Sequence, residues 1–327
     1  MRNIALIAAL SAQCQAVVSY NCSLKVDNFV NQGLSLDMVS SLIIGSQAAV
    51  VVDLPLAVTQ ANLLAAWVKN TTDKPLVAAF TTHNHPDHYL SGQAFLDHFP
   101  GAKHYATAEA AAWIKNEAVN KTEYWSSVFG EGVIATTPAI PTPYNYSFFV
   151  LPGDEACPVE IIESIGGDTI DEAMFWIPSS KTLIAGDVVY GHQMHLWLAD
   201  LLTPALTKSW LTSLDFITKL KPSRVIPGHA LSADTFDAAK DVIHTRDYVS
   251  FFQKNIEAKG AEFYSPVEIS TLIDNQFPGL LNLSSSTTSS QLLNITAENF
   301  GRGGQRQIHY LDLLAFNDPE TLDGWQL

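Results

Sequence analysis

The sequence predicts an α/β fold in which two β-sheets pack face to face and helices cover their outer sides. Apolar, β-branched runs of strand length alternate with segments of helical periodicity along the first two thirds of the chain. The strand-rich parts form two stretches, separated by a long polar segment that contains prolines. Two sheets of this kind bury their apolar faces against each other, which leaves the helices outside.

The first strand-rich stretch begins with a predicted β-hairpin. Apolar runs at 36–44 and 48–54 flank Gly45-Ser-Gln, a turn-forming sequence. The apolar spacing over 59–69 predicts a helix, and the run 75–82 has the length and composition of a buried strand. Three short elements complete the stretch: a helix at 90–98 that Pro100-Gly101 stops, a strand at 104–106 and a helix at 108–116.

The second stretch follows segment 117–146, which we predict to be a long surface loop because it is polar and broken by prolines. A helix is predicted at 211–220, and strands are predicted at 148–151, 159–163, 173–176, 182–185 and 224–226. Beyond residue 230 the chain is predicted to be mainly helical, with helices at 233–258 and 267–275.

The composition is that of a globular protein with an acidic surface. Hydrophobic residues make up 47% of the 327 residues and charged residues 16%, so the chain is predicted to fold. Acidic side chains outnumber basic ones by 33 to 18, which gives a formal net charge of −15. This charge argues against nucleic acid and anionic membranes as partners, because both are themselves negative.

The N-terminus has the features of a secretory signal peptide over residues 1–16. Arg2 precedes an apolar stretch, and Ala16 closes a small-residue segment that suits cleavage before Val17. The alternative is a buried N-terminal helix. Asn-x-Ser/Thr sequons favour export and N-glycosylation, and they begin at Asn21, Asn70, Asn120, Asn145, Asn282 and Asn294.

Cysteine usage is consistent with an oxidising compartment. Cys14 would leave with the signal peptide, so the mature chain would retain Cys22 and Cys157. A disulfide between these two would tie the N-terminal segment to the middle of the chain, and the alternative is two separate buried thiols. Neither lies near the histidine-rich segment in sequence, so neither is assigned to a metal.

Candidate metal ligands are concentrated directly after the predicted strand 75–82. His83, His85 and His88 lie there with Asp87, although the chain has only 10 histidines. Histidines at positions i, i+2 and i+5 cannot share one helix face, but on a loop after a buried strand they can converge. Imidazole and carboxylate ligands together suit Zn, Fe or Mn. The alternative is a set of polar side chains that hydrogen-bond at the end of a strand.

The segment His83-x-His85-x-Asp87-His88 resembles the H-x-H-x-D-H motif of the metallo-β-lactamase-fold hydrolases. The resemblance extends over most of residues 36–230 and includes Ile184-Ala-Gly-Asp187 and Pro227-Gly-His229. It implies an αββα sandwich with a two-metal site at one edge of the sheets. We expect a secreted eukaryotic, fungal member with three parts: signal peptide 1–16, metallo-β-lactamase-like domain 17–230, and a helical C-terminal extension 231–327 packed on that domain.

The resemblance also implies which residues bind which metal. Two histidines would bind the first metal, three residues the second, and one carboxylate would bridge both: His83 and His85, then Asp87, His88 and His229, and finally Asp187. The expected cofactors are two divalent metal ions, with zinc preferred over iron or manganese.

One position departs from the family pattern. The third ligand of the first metal is usually the histidine of a Gly-His-Thr turn, whereas this chain has Gly167-Asp168-Thr169. Either the Asp168 carboxylate ligates the first metal, which would favour harder ions, or it supports a ligand from outside the coordination sphere. We expect ligation, because carboxylate is an established zinc ligand.

The expected activity is hydrolysis of an ester or lactone carbonyl by a metal-bound hydroxide, with Asp87 taking part in proton transfer. Segment 190–197 should lie over the site. There His192 and His195 would orient a small-molecule substrate or donate a proton, and Trp197 would form an apolar wall; ordinary loop packing is the alternative. Thioesters, β-lactams and phosphodiesters are alternative substrates, and a non-catalytic metal- or ligand-binding protein is the alternative class.

Overall fold

The computed structural model describes residues 24–201, 203–260, 263–283 and 287–305, so the predicted signal peptide and Cys22 lie outside the described residues. The first of its two sheets has six strands in the order β1-β2-β3-β4-β5-β6: Lys25–Asn31, Met38–Ile44, Ala49–Val52, Leu76–Thr81, Lys103–Ala106 and Thr142–Pro143. Strands β1 to β3 are antiparallel, as the predicted hairpin requires, and β3 to β6 are parallel.

The second sheet has five strands in the order β11-β10-β9-β8-β7. In chain order, β7 to β11 are Phe148–Phe149, Val159–Ile165, Glu172–Ile177, Thr182–Ile184 and Arg224–Ile226. Neighbouring strands are antiparallel except for β10 and β11, which are parallel because α-helical chain connects them. The prediction of two sheets from the two strand-rich stretches is confirmed.

Helices cover the outer sides of both sheets. Helices α1 to α7 are Val58–Thr71, Gly92–Leu96, Ala108–Phe129, Pro204–Leu220, Ala238–Asn255, Pro266–Gln276 and Thr288–Phe300. Helices α1 and α2 pack on the first sheet, whereas α4 and α5 pack on the second sheet and share its buried cluster with α6 and α7. The layers therefore confirm the αββα sandwich. Among the described residues we find no helix with the length and hydropathy to span a bilayer.

Alternating side chains of the first sheet supply two separate apolar layers. Val50 and Val52 of β3 face the second sheet, whereas Val51 between them packs against α1. Phe80 of β4 reaches across the sandwich and stacks on Phe149, with ring centroids 4.9 Å apart. Burial of an aromatic side chain of this kind contributes roughly 1.5–3 kcal/mol. The two-residue period of the strands thus decides which side chains form the inter-sheet core.

The prediction of a loop over 117–146 is wrong for its first part, because α3 continues to Phe129. Ile114 and Ala118 lie on the buried face of this helix and pack against Tyr89. Gly130, at φ 99°, ends it in a conformation that side chains rarely adopt. The apolar positions are sparse in a polar segment, so composition favoured a loop, whereas tertiary packing of one face stabilises the helix.

Smaller differences concern individual elements and their boundaries. Strand β1 was not predicted, and α4 begins at Pro204 rather than at residue 211. Helix α7 lies in the part of the chain that was predicted to be mainly helical, although its bounds were not. Cys157 is disulfide-bonded, and its predicted partner lies outside the described residues. The boundaries of the three predicted parts of the chain stay predictions.

Candidate metal centre

Loops that follow strands of both sheets meet at one place and bring the candidate ligands together. They follow β4, β8, β10 and β11 in that order: His83, His85, Asp87 and His88; Asp168; Asp187; and His229. All seven side chains are buried and form two groups, each with ligand atoms within 4.8 Å of one another. The first group is His83, His85, Asp168 and Asp187, and the second is Asp87, His88 and His229.

Pro86 shapes the loop after β4. It begins a 3-10 turn over Pro86–His88, because its ring fixes φ near the helical value and its missing N–H is not needed there. Before the turn, His85 is extended, and its ring lies edge to face with that of His83 at a centroid distance of 4.7 Å. The extended residues and the turn thus direct side chains of this loop into both groups.

The Pro227-Gly228-His229 turn after β11 requires glycine at its middle position. A Cβ atom at this position would lie 1.8 Å from the Asp187 Oδ1 atom, so no other residue fits without displacing the carboxylate. The Gly228 N–H donates to the carbonyl oxygens of Gly186 and Val189 at 2.8 and 3.0 Å. The close contact between the two loops therefore places His229 beside Asp187.

The second group has its imidazoles held from outside. His229 Nδ1 donates to the Leu36 carbonyl oxygen at 2.8 Å, so Nε2 is the ring nitrogen that the neutral imidazole can offer to a cation, and His88 Nδ1 lies 3.1 Å from Asp53 Oδ2. The two Nε2 atoms face each other at 3.4 Å. The Asp187 carboxylate reaches both, at 3.3 Å from His88 and 3.0 Å from His229, and so contacts both groups.

The first group has carboxylates as its neighbours. His85 Nδ1 faces Asp168 Oδ2 at 3.3 Å, and its Nε2 atom lies 2.5 Å from Asp200 Oδ2. His83 Nδ1 lies 3.4 Å from Glu172 Oε1. Sequence reasoning missed Glu172 and Asp200. No local pattern links Asp200 to His85, because 115 residues separate them.

Unpartnered polar atoms show that the residues present fit a metal. His83 Nε2, Asp168 Oδ1 and Asp187 Oδ1 are buried without a hydrogen-bond partner. Each such atom costs about 1–3 kcal/mol when left unsatisfied. All three belong to the first group, where a cation would satisfy them together, and imidazole with carboxylate is a donor set that zinc accepts.

The carboxylates and imidazoles of the centre shift each other's pKa values. Burial would raise the pKa of the Asp187 carboxyl, but the charges of His229 and His88 outweigh it and hold that pKa well below its usual range. Burial raises the pKa of Asp168 to about 6, opposed by His85 and reinforced by the charge of Asp187. A cation beside Asp168 would favour its ionised form, because opposite charges stabilise each other.

Tyr190 is a site residue that sequence reasoning did not select. Its hydroxyl oxygen lies 2.7 Å from Asp168 Oδ2 and 2.7 Å from Asp187 Oδ2, and its ring stacks on the His229 imidazole. Burial and the two carboxylates raise the pKa of Tyr190 well above its usual value, so the phenol is neutral and a donor. Its position three residues after Asp187 was the available signal.

A cavity of about 310 Å³ opens onto both groups. Part of its lining consists of candidate ligands and Tyr190, and neither lysine nor arginine is found among the described residues that line it. The remainder is mainly apolar, with α3 and α7 as the largest contributors: Leu36, Leu56, Tyr124, Trp125, Val128, Phe129, Trp197, Leu292 and Ile295. Trp197 therefore forms part of an apolar wall, as the sequence predicted.

The structure does not bring His195 to the cavity. The His195 side chain is fully buried, with Nδ1 2.9 Å from the Tyr248 hydroxyl and its backbone N–H donating to Ser289 Oγ at 2.9 Å. Burial lowers the pKa of His195 to about 4, so the ring is neutral. His192 instead pairs with Asp241, at 2.6 Å from Nδ1 to Oδ1. Loop packing, the alternative for both histidines, describes these contacts.

The segment that carries the candidate ligands matches a known protein family. A family model described as Metallo-beta-lactamase superfamily matches residues 35–229, more than half of the 327 residues. The chain is similar to metallo-beta-lactamase IND-1 of Chryseobacterium indologenes, with 25% identity over 217 residues, which cover 64% of this chain and 77% of the relative.

Solved structures of metallo-beta-lactamases are also similar. One from Pontibacter korlensis has a TM-score of 0.46 and 18% identity, with 70% of this chain and 99% of that chain covered. IND-7 has a TM-score of 0.46 and 20% identity, with 65% and 86% covered. On the match of the family model to residues 35–229, this chain belongs to the metallo-beta-lactamase superfamily of metallo-hydrolases.

Proposed function

We propose that this protein is a secreted dinuclear zinc hydrolase that cleaves uncharged esters or lactones with an apolar substituent. The observation that carries the proposal is the cavity, in which buried candidate metal ligands adjoin a mainly apolar lining. The absence of lysine and arginine from its described lining separates this substrate class from anionic ones.

The two groups of ligands support a two-metal centre. His83, His85 and Asp168 would hold the first ion, and Asp187 would bridge it to the second, because its carboxylate also contacts residues of the second group. The second ion would be held by the remaining group, namely Asp87, His88 and His229. Three carboxylates against two divalent charges leave the centre attractive to a hydroxide or a polarised carbonyl oxygen.

The residues around the centre have distinct chemical tasks. Two bound divalent ions would lower the pKa of water to about 7 and polarise a carbonyl oxygen. Asp87 lines the cavity with its Oδ2 atom 3.3 Å from His229 Nε2, where it would accept a proton from the attacking water and pass it to the leaving alkoxide. The neutral Tyr190 hydroxyl, also in the lining, would keep its single proton between the Asp168 and Asp187 carboxylates and so hold both in position.

The charge of the cavity favours an uncharged substrate. A carboxylate or phosphate on the substrate would enter a site that offers it no lysine or arginine among the described lining residues. Esters and lactones are neutral, and their apolar parts would lie against Trp125, Phe129 and Ile295. The β-lactams are a candidate because the similar proteins named above are metallo-beta-lactamases. They come second because β-lactam antibiotics carry a carboxylate, for which the described lining offers no lysine or arginine.

A substrate panel with and without chelator tests this proposal. We expect two zinc ions per chain, hydrolysis of neutral esters and lactones, loss of activity with chelator and recovery with zinc. Asp87→Asn should lose activity, whereas His98→Ala, which changes an exposed histidine outside the centre, should keep it. Faster turnover of β-lactams would favour the second candidate. A chain without metal or turnover would favour the binding protein.

The apolar wall can be tested on its own. Ile295→Ala should raise KM for long-chain esters about fivefold, because the lost apolar contact is worth roughly 1 kcal/mol, with kcat little changed. Leu63→Ala, on the exposed face of α1, is the matched control. Equal KM values for short and long acyl chains in the parent would contradict an apolar binding wall.

Export and glycosylation are part of the proposal. The sequon asparagines that lie in the described part are exposed, and these are Asn70, Asn120, Asn145, Asn282 and Asn294. Asn294 also lines the cavity, so a glycan there would border the substrate entrance. We propose a fungal, and therefore eukaryotic, host. The mature chain purified from that host should begin near Val17 and carry N-linked glycans. A mature chain that begins at Met1 without sugar, on intact-mass analysis, would contradict this.

A further inference from the structure

Asp200 lies directly behind a candidate ligand of the first metal. Its Oδ2 atom is 2.5 Å from His85 Nε2, while His85 Nδ1 points the other way, towards Asp168. A carboxylate that accepts the Nε2 proton leaves the lone pair on Nδ1, the atom that faces the rest of the first group. The contact therefore selects the imidazole tautomer that can bind a metal there.

Helix α7 holds the backbone next to Asp200. The Leu198 N–H donates to Thr296 Oγ1 at 3.2 Å, and Asn299 Nδ2 donates to the Ala199 carbonyl oxygen at 2.6 Å. Thr296 and Asn299 are both buried, so water does not compete for these bonds. The same helix buries apolar side chains in the cluster that contains Leu198. The position of Asp200 thus depends on α7.

We propose that Asp200 is a positioning residue for His85 and that α7, through Asn299 and Thr296, fixes it there. The C-terminal helices would then complete the first metal site, although the matched family segment ends at residue 229. This inference rests on the proposed metal-binding function. It does not rest on the proposed substrate, because Asp200 acts on the ligand and not on the reacting bond.

Metal titration of the apo protein tests the inference. Asp200→Asn keeps the size of the side chain but weakens the acceptor, so affinity for one of two Co(II) or Zn(II) ions should fall about 10–100-fold. The other ion should bind as in the parent. The Co(II) absorption spectrum should change in the component that the first ion contributes, and Asp200→Glu should recover part of the affinity.

The matched control is Asp274→Asn, which removes a carboxylate 4.0 Å from the Nε2 atom of His195, a histidine outside both groups. It should bind both ions like the parent. Asn299→Leu should shift metal affinity in the same direction as Asp200→Asn, by a smaller factor. Thr296 is left unchanged because it completes the Asn294 sequon.

Each outcome decides a separate point. Parental affinity for both ions in Asp200→Asn, with an unchanged Co(II) spectrum, would overturn the role of Asp200. Parental affinity in Asn299→Leu alone would overturn the role of α7. A parent chain that binds two ions but hydrolyses no ester would sink the proposed substrate and leave this inference standing. A parent chain that binds no metal would overturn both proposals.

Discussion

The two ligand groups differ in where their outer contacts come from. In the second group, His88 Nδ1 lies 3.1 Å from Asp53 Oδ2 and His229 bonds to the Leu36 carbonyl, and both contacts lie in the segment that the family model matches. In the first group, His85 contacts Asp200, whose neighbours bond to α7 beyond that segment. One half of the centre is thus supported within the family fold, and the other also by the C-terminal helices.

The largest expected effect comes from the residue that both groups share. Asp187 is a member of the first group, and its carboxylate contacts His88 and His229 of the second. The substitution Asp187→Asn removes its negative charge. Affinity for both metals should fall more than about 100-fold, beyond what loss of an outer partner causes, and activity should disappear. Metal content after dialysis measures this, with Asp215→Asn on the surface as control. Retention of two metals would show that the groups share no ligand.

The next effect should be confined to the first group. Asp168→Ala removes one ligand and one charge, so the first metal should be lost while Asp87, His88 and His229 retain the second. Asp168→His should bind zinc at least as well as the parent, because imidazole is a good zinc ligand. Titration of zinc into the three apo proteins is the measurement. Two metals bound at parental affinity by Asp168→Ala would assign this residue a structural role.

Asp53→Asn is the counterpart of Asp200→Asn in the second group. It should weaken the second metal about 10–100-fold through His88, without affecting the first. Because the two carboxylates act on separate groups, the losses in the double variant should add as free energies. Asp53 Oδ1 also accepts a hydrogen bond from the Thr82 N–H, so the melting temperature of Asp53→Asn shows whether the substitution destabilises the fold. Strong non-additivity would show that the two halves are supported as one unit.

The smallest effect at neutral pH concerns His104, a buried histidine outside both groups. Burial lowers the pKa of His104 to about 3, from an ordinary value of 6.5, so the folded protein keeps it neutral while the unfolded chain takes up a proton. Stability should therefore fall as pH decreases from 6.5 towards 3, by up to about 1.4 kcal/mol per pH unit. Denaturant unfolding of the parent and of His104→Gln at several pH values measures how steeply the free energy of unfolding changes with pH. That slope should be shallower for the variant. Parallel slopes would place the acid sensitivity in the centre alone.

Local sequence patterns determined much of the first sheet and the ligand motif. The β2–β3 hairpin and strand β4 follow from the apolar alternation and the turn at Gly45, which act over a few residues. Pro86 and the residue types around it predicted a loop that brings histidines and a carboxylate together. The later candidate ligands Asp187 and His229 were identified through the resemblance to a family, since nothing local connects them to the loop after β4.

The tertiary structure alone decided the rest. Helix α3 is stabilised by packing of a few apolar residues against distant loops, so its polar sequence was not informative. Tyr190, between two carboxylates, and Asp200, against His85, depend on contacts between loops far apart in sequence. His195 carries the chemistry of a catalytic residue but is turned into the core, because burial against α5 and α7 determines its direction. Residue type shows what a side chain can do, and packing between distant segments decides where it lies.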